Sequence, residues 1–496
     1  MAVFKFGDAL PQFTQLQDVY DDASLKLKSH STTQVVYEDK NGDTVTLTGS
    51  GLKTKGNAIT AGIVKSVAFD NTDDGTLLSV TGGDYIAKTV ASALASDPSI
   101  FNFLSALSAG NDRIYGSNTV IDTMSVGADH GNDTITFGKM GGFASGSEGN
   151  DTFKGGAGFD TVSYEDTYFF SDAKHGITAN LATGVITDSW GGKDKLTGSI
   201  EELRGSIFND KITGGSADES FMGLKGKDVI DGGAGENTAR YDRDAVYGGD
   251  AGINARLDKG YIIDGFGDKD TVKNIQDVDG TAKNDSFIGN SANNEFHGLA
   301  GTDSYNGGGG VDVVSFYWST NIGEHGVNID MTKSSGQIID DGFGNKETTK
   351  SIEAIAGSAF DDTIKLGSAD GWAAGNSGDD TLVAGTGVQQ FYGGTGADTF
   401  VFNNAQAIGT EQGHRDYIGD FSQADDDKID FSGIGGLQFK GEGGTAAQGE
   451  VHFTIVNTQQ GEYTIVYGDV DGQTGADFDL VLKGAITLTA NDFILS

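Results

Sequence analysis

The chain has 496 residues, with 78 Gly, 2 Pro, no Cys, and 72 Asp+Glu against 33 Lys+Arg for a formal charge of −39. That charge excludes nucleic acid as a partner, since phosphates would meet like charge, and the missing Cys excludes disulfides, thiolate catalysis and Cys-based zinc sites. A chain this acidic repels itself when compact, so it stays expanded unless cations neutralise it, and clustered carboxylate and carbonyl oxygens suit Ca²⁺.

The N-terminus, Met-Ala-Val-Phe-Lys-Phe-Gly-Asp, lacks a basic segment followed by a long apolar run, so a cleaved signal peptide is not expected. No stretch approaches the ~18 apolar residues of a membrane span, so no membrane insertion is expected. Residues 1–105 read as a small α+β domain. Strands at residues 34–38 and 43–48 flank Asn41-Gly42, a hairpin signal, and Ile63-Val64 and Leu77-Leu-Ser-Val80 read as further strands. Two short helices are predicted next. The first begins at Asp84 and carries Ile86, Val90 and Leu94. The second is capped by Asp97, starts with Pro98, carries Ile100, Phe103, Leu104 and Leu107, and ends near Gly110. This domain is expected to cap a solenoid, and it is the candidate for ligand binding or assembly.

Two nested periods follow. Gly149-Asn-Asp151, Gly226-Lys-Asp228, Gly301-Thr-Asp303 and Gly378-Asp-Asp380 lie 77, 75 and 77 residues apart. Alternating segments keep step after Gly176, Gly252 and Gly326, each reading as a half-buried strand. They are followed by Asp188-Ser-Trp-Gly-Gly-Lys-Asp194, Asp264-Gly-Phe-Gly-Asp-Lys-Asp270 and Asp341-Gly-Phe-Gly-Asn-Lys-Glu347, then by Ile200-Glu-Glu-Leu203, Ile275-Gln-Asp-Val278 and Ile352-Glu-Ala-Ile355. Within each unit a period of nine places acids or amides at Asp210, Glu219, Asp228 and Asn237; at Asp285, Asn294, Asp303 and Asp312; and at Asp362, Gly371, Asp380, Gln389 and Asp398. An earlier set holds Asp133, Asp151 and Asp160, with Gly142 in the remaining place.

Nine residues make a tight turn of about six and a strand of three. Gly supplies positive φ and close backbone approach in such turns. Turn carbonyls and Asp oxygens from adjacent rungs then surround one hard cation. The apolar residue two places after the Asp (Val162, Ile230, Tyr305, Leu382, Phe400) points into a thin core. At these residues the chain, over about 106–402, resembles the RTX (repeats-in-toxin) family, whose nonapeptide is a Ca²⁺-binding β-helix repeat. The resemblance implies an all-β fold, a parallel β-roll (β-helix solenoid) holding multiple Ca²⁺ between its turns. Carried over, the ligands are Asp133, Asp151, Asp160, Asp210, Asp228, Asp285, Asp303, Asp312, Asp362, Asp380 and Asp398. Asn237, Asn294, Gly371 and Gln389 depart from the pattern, and those rungs are expected to bind weakly or not at all. Asp188, Asp194, Asp264, Asp270 and Asp341 form either calcium loops between strands or ordinary solvated hairpin turns.

Residues 403–496 read as a C-terminal β domain. Asp416-Tyr-Ile-Gly-Asp420-Phe421, Asp427-Lys-Ile-Asp430 and Tyr467-Gly-Asp469-Val-Asp471-Gly resemble the secretion domain of serralysin-type metalloproteases and other type I substrates. The ending Asp492-Phe-Ile-Leu-Ser496 resembles an uncleaved type I export signal; the alternative is a final edge strand. Asp469-Val-Asp471-Gly is not an EF-hand, because Gln473, Thr474 and Leu480 stand at required ligand and Gly positions.

None of the seven His forms His-Glu-x-x-His and no Ser sits in Gly-x-Ser-x-Gly, so zinc-protease and serine-hydrolase chemistry are not expected. Repeat-borne His130 and His297 are expected in turns, in solvent. The sequence therefore reads as a non-enzymatic, secreted calcium-binding protein exported by the type I secretion apparatus. Three roles stay open: a structural surface-layer or matrix protein that self-assembles, an adhesin binding cell-surface polysaccharide through residues 1–105, or a polysaccharide-modifying enzyme.

Overall fold

The nonapeptide rhythm becomes geometry directly. The computed structural model describes residues 3–6, 26–71, 75–86, 111–115, 122–127, 130–168, 172–317, 325–410, 414–473 and 475–495. Most repeat strands are three residues long. Parallel neighbours are offset by 18 residues, two nonapeptides: Thr134 opposes Thr152, Lys211 opposes Val229, Ser286 opposes Ser304 and Thr363 opposes Thr381. The fold is an all-β parallel roll, and the chain divides into two compact units, residues 1–240 with 268–275 and residues 241–267 with 276–496.

In the first unit an antiparallel sheet precedes the roll. Gln34–Glu38 pairs with Thr44–Lys55 about Asn41-Gly42, where Gly42 has φ 95°. Ala58–Asn71 and Gly75–Ile86 extend that sheet. Val3–Phe6 lies between Gly75–Ile86, antiparallel, and Arg113–Tyr115, parallel, so the antiparallel sheet runs into the first parallel rungs. The helix predicted from Asp84 does not begin there. Asp84 and Ile86 belong to the strand Gly75–Ile86, with Ile86 opposite Ile63. Ladder hydrogen bonds to a 14-residue partner strand outweigh weak local helix propensity here. Val90, Leu94 and the second predicted helix at 97–110 lie outside the described residues.

Most of the three-residue strands bury their central side chain. On one face of the first unit these are Ile114, Ile135, Phe153, Ile212 and Ile230; on the other they are Val162, Leu203, Phe221 and Ala239, none more than 1% exposed. Burying each large one contributes about 1.5–3 kcal/mol. At some turn glycines the neighbouring rung comes too close for a side chain. A Cβ on Gly301 (φ 141°) would stand 2.3 Å from the carbonyl oxygen of Lys283, and one on Gly394 (φ 103°) 2.1 Å from that of Asn376.

The long period is a hairpin inserted into the coil. Thr178–Asn180 runs antiparallel to Val185–Thr187, which runs antiparallel to Lys193–Thr197. Lys193–Thr197 then rejoins the parallel stack against Thr152–Lys154. The second unit holds the equivalent hairpins Asn254–Arg256 with Tyr261–Ile263, and Asn328–Asp330 with Ile338–Asp340. Its rungs are packed with aromatic rings, such as Phe287 stacked on Tyr305 at 5.2 Å. They continue through Thr399–Val401 and Lys428–Asp430 to the terminal strand Phe493–Ile494. Phe493 meets Phe431 and Phe439 there and so joins the core of this unit.

Candidate calcium sites

The aspartates form ladders. Along the first unit the N–H of Asp112 donates to Asp133 Oδ1 (2.6 Å), that of Asp133 to Asp151 Oδ1 (2.7 Å) and that of Asp151 to Asp194 Oδ1 (2.7 Å). The next series runs Ile177 to Asp210, Asp210 to Asp228 and Asp228 to Asp270, at 2.7–2.9 Å. In the second unit Ile253 donates to Asp285 and Asp285 to Asp303. Val327 donates to Asp362, Asp362 to Asp380, Asp380 to Asp398 and Asp398 to Asp427. On the opposite turn Asp160 N–H donates to Glu201 Oε2 and Asp312 N–H to Glu353 Oε2. All sixteen aspartates expected as ligands are buried, none more than 3% exposed.

Backbone N–H groups thus fix these side chains. In Asp210, Asp285 and Asp362 both carboxylate oxygens are taken, the second by the N–H of Ser206, Thr281 and Ser358; in other rungs the second oxygen is left over. Asp151 Oδ2, Asp160 Oδ1, Asp312 Oδ2, Asp380 Oδ2, Asp398 Oδ2 and Asp416 Oδ2 are buried with no hydrogen-bond partner. Leaving such atoms unmatched is costly. The donor set around them is carboxylate and carbonyl oxygen, which fits Ca²⁺ and neither Zn²⁺ nor a soft metal. Crowding shows in the titration of the groups. Burial, then the charge of Asp194, pushes Asp151 up to about 9. Burial, then the neighbouring Asp362 and Asp398 charges, pushes Asp380 up to about 8. Asp285 and Asp398 rise to about 7, chiefly through burial.

The hairpin aspartates divide by role. Asp194 and Asp270 stand in the ladder itself. Asp188 Oδ1 gathers the N–H groups of Trp190, Gly191 and Gly192 at 2.9, 2.6 and 2.7 Å. Asp341 Oδ1 does so for Phe343 and Asn345, and Asp264 Oδ1 for Phe266. With Asp188 and Asp264 0% exposed and Asp341 2%, these are not solvated turns.

The rungs that depart from the pattern fill their own space. Asn294 Nδ2 donates to the Gln276 carbonyl (2.8 Å), Gln389 Nε2 to that of Gly367 (3.0 Å) and Asn237 Nδ2 to that of Asn274 (3.2 Å). An amide N–H there occupies a turn carbonyl that would otherwise face a cation.

Several ladder members went unnoticed in the sequence. Asp112, Glu201, Glu353, Asp416 and Asp427 continue the columns. A parallel outer ladder uses the residue before each Asp: Asn150 N–H donates to Asn132 Oδ1, Lys227 N–H to Asn209 Oδ1 and Asp379 N–H to Asp361 Oδ1. The recurring dipeptides Asn132-Asp133, Asn150-Asp151, Asn209-Asp210 and Asp361-Asp362 were the available signal. Asp469, Asp471 and Asp477 also bring carboxylate oxygens within 4.8 Å of one another. Their oxygens receive the loop N–H groups of Gly472, Gln473 and Val470.

The expected placement of the histidines is corrected. His130 and His297 lie in strands, not turns. His297 is held between Asp279 (2.9 Å) and Glu295 (3.2 Å). Those two carboxylates overcome the burial that opposes its charge and push it up to about 10, so it stays an imidazolium at neutral pH. No long apolar helix able to cross a membrane occurs among the described residues.

A parallel coil with stacked, half-satisfied carboxylates between its turns defines a calcium-loaded β-roll. Residues 145–163, 196–250 and 279–314 match the RTX calcium-binding nonapeptide repeat, and residues 351–495 match the serralysin C-terminal domain of the M10 peptidases. The chain therefore carries RTX repeats, which imply multiple Ca²⁺ ions, and a serralysin-type C-terminal domain; together they point to a secreted calcium-binding protein and a type I export substrate. No curated protein matches the chain. Among solved structures it is similar to a subunit of a mannuronan C5-epimerase from Azotobacter vinelandii, at 18% identity over 43% of this chain and 79% of that one, with TM-score 0.16. It is also similar to an extracellular lipase from Serratia marcescens, at 13% identity over 97% of this chain and 87% of that one, with TM-score 0.19. At these scores neither likeness bears on activity.

Proposed function

We propose that the chain is a structural protein of the cell surface or extracellular matrix, surface-layer-like, that folds and assembles on Ca²⁺ outside the cell. The observation that carries this is the buried carboxylate ladder whose second oxygens have no protein partner (Asp151, Asp160, Asp312, Asp380, Asp398). A fold with so many unmatched buried oxygens is incomplete without cations, and metal binding then supplies folding free energy. Where Ca²⁺ is scarce the ladders repel and the chain stays expanded, which suits export; extracellular modules bind Ca²⁺ at roughly 10⁻⁴–10⁻³ M. The structural role is supported by the near-regular long repeat, whose Gly-x-Asp marks lie 77, 75 and 77 residues apart along one chain.

The test is far-UV circular dichroism with light scattering during CaCl₂ titration from an EDTA-treated start. β-structure followed by growth into large, EDTA-reversible particles supports the reading. β-structure in a protein that stays monomeric removes the assembly role, and no response to Ca²⁺ removes the reading altogether.

A further inference from the structure

The outer face of one sheet in the second unit carries a cleft that the calcium ladders do not use. Gly371–Ser377 runs parallel to Gln389–Thr395, which runs parallel to Tyr417–Ile418. Ala373, Phe391 and Ile418 are fully buried. Their neighbours Trp372, Ala374, Gln390, Tyr392 and Tyr417 therefore project outward, since side chains alternate along a strand. The Tyr392 ring lies over Gly419, where a Cβ would stand 2.2 Å from its Cε1. Its hydroxyl donates to Gln390 Oε1 at 3.3 Å. These contacts fix the ring, yet it stays 37% exposed, and Tyr317 is 52% exposed.

Tyr317 follows Val313–Ser315, which lies to one side of Gly371–Ser377 in the sheet, and Tyr392 belongs to the strand on the other side. Both line one cleft of about 250 Å³, with Ala374 of the strand between them. Asn376, Ser377 and Asp420 supply its polar lining. Asp420 Oδ1 and Oδ2 accept the N–H groups of Gly393 and Gly394 at 2.9 and 3.0 Å. That fixes the carboxylate and leaves each oxygen a second lone pair. Asn376 donates from Nδ2 to the Gly357 carbonyl (2.9 Å) and keeps Oδ1 for another donor.

The chemistry of this lining selects its ligand. Among the described residues no Lys, Arg or His lines the cleft. With a carboxylate there and −39 on the chain, an anion is repelled. Asp420 is the one carboxylate in the lining, too few for Ca²⁺, which takes about 6–8 oxygens. An apolar ligand would leave the amide, hydroxyl and carboxylate unmatched. A neutral pyranose meets both demands: its C–H face lies on a flat ring, and its hydroxyls donate to Asp420 and Asn376. The volume falls below the ~300–1,000 Å³ of drug-sized sites, so the cleft suits a single sugar ring. Beside it Trp372, Gln390 and Tyr417 stand abreast on three strands. They are spaced by about 4.8 Å per strand and offer rings and an amide to further units of a polymer.

We propose that this cleft binds a pyranose unit of a neutral polysaccharide, with Tyr317 and Tyr392 as stacking platforms and Asp420 and Asn376 as hydroxyl acceptors. It does not depend on the assembly role, because a chain that folds on Ca²⁺ and stays monomeric carries the same cleft. The test is native affinity electrophoresis of the full chain in CaCl₂, through gels holding dextran, mannan, galactan or soluble starch, with carboxymethyl-dextran as the anionic control. At least one neutral polymer is expected to retard the parent. Tyr392→Ala and Tyr317→Ala should each weaken that retardation about tenfold, with far-UV circular dichroism unchanged. Should Tyr392→Ala lose β-structure, Tyr317→Ala decides, its ring being the more exposed. No retardation by any of the neutral polymers overturns the proposal. So does retardation that survives the substitutions, or that carboxymethyl-dextran matches. A parent without β-structure in CaCl₂ defeats the calcium reading itself, and this cleft with it.

Discussion

Asp151 tests the physics of the ladder most sharply. Its Oδ1 receives the Asp133 N–H at 2.7 Å, while its Oδ2 is buried and unpartnered. Asp151→Asn keeps an oxygen for the N–H and removes only the charge. Without metal the folded group titrates near 9 against an ordinary 3.8. The sign follows from linkage. The folded state keeps a proton that the unfolded state gives up above about pH 4, so metal-free stability is present below about pH 4 and is lost as pH rises towards 9. By pH 7 the loss spans about three pH units at ~1.4 kcal/mol each, or roughly 4 kcal/mol as an upper limit. In EDTA at pH 7, Asp151→Asn should therefore fold more readily than the parent, by up to about 4 kcal/mol, and the difference should vanish near pH 4. Far-UV circular dichroism of both proteins in EDTA, with an excluded osmolyte to bring the transition into range, measures this. With CaCl₂ the order should reverse, because the variant has lost a ligand. If the variant is no more stable in EDTA at pH 7, its carboxylate is not crowded as described and the argument for cation demand fails.

The same linkage predicts that the metal-free parent gains β-structure on acidification from pH 8 to about 4, and a flat profile would count against it. Asp228→Ala leaves the Asp210 N–H without its 2.7 Å acceptor as well as removing a ligand. An unmatched buried N–H costs about 1–3 kcal/mol, so the Ca²⁺ midpoint for folding should rise at least several-fold. Asn237→Asp exchanges an amide that satisfies the Asn274 carbonyl for a carboxylate. It should add one bound Ca²⁺ by native mass spectrometry and make folding of the first unit more dependent on the ion.

Much of this molecule was legible because its repeat is local. Period nine, Gly beside Asp and an apolar residue two places on fix strand, turn and core position within a few residues. That is why Val162, Ile230, Tyr305, Leu382 and Phe400 could be placed inside from sequence alone, and all are buried. The composition, too, set the demand for cations before any contact was known. Asp84–Ile86 was misread because helix propensity is local while strand pairing with Ala58–Asn71 is not. His297 was misplaced for a related reason: its two anionic partners come together only when rungs 18 residues apart stack, Asp279 against His297. Glu201 and Glu353 depart from the Asp pattern, and only the register of the rungs gives them a role.

The sequence by itself thus determined the coil, its period, its core and its need for a hard cation, since these follow from neighbours within one or two nonapeptides. Only the tertiary structure decided which carboxylate oxygens are tied to backbone and which are left facing the space between turns. That depends on the register between rungs and on where each hairpin insert returns to the stack, distances of some 40 residues along the chain, as from Asp151 to Asp194 (43 residues), that no local pattern encodes.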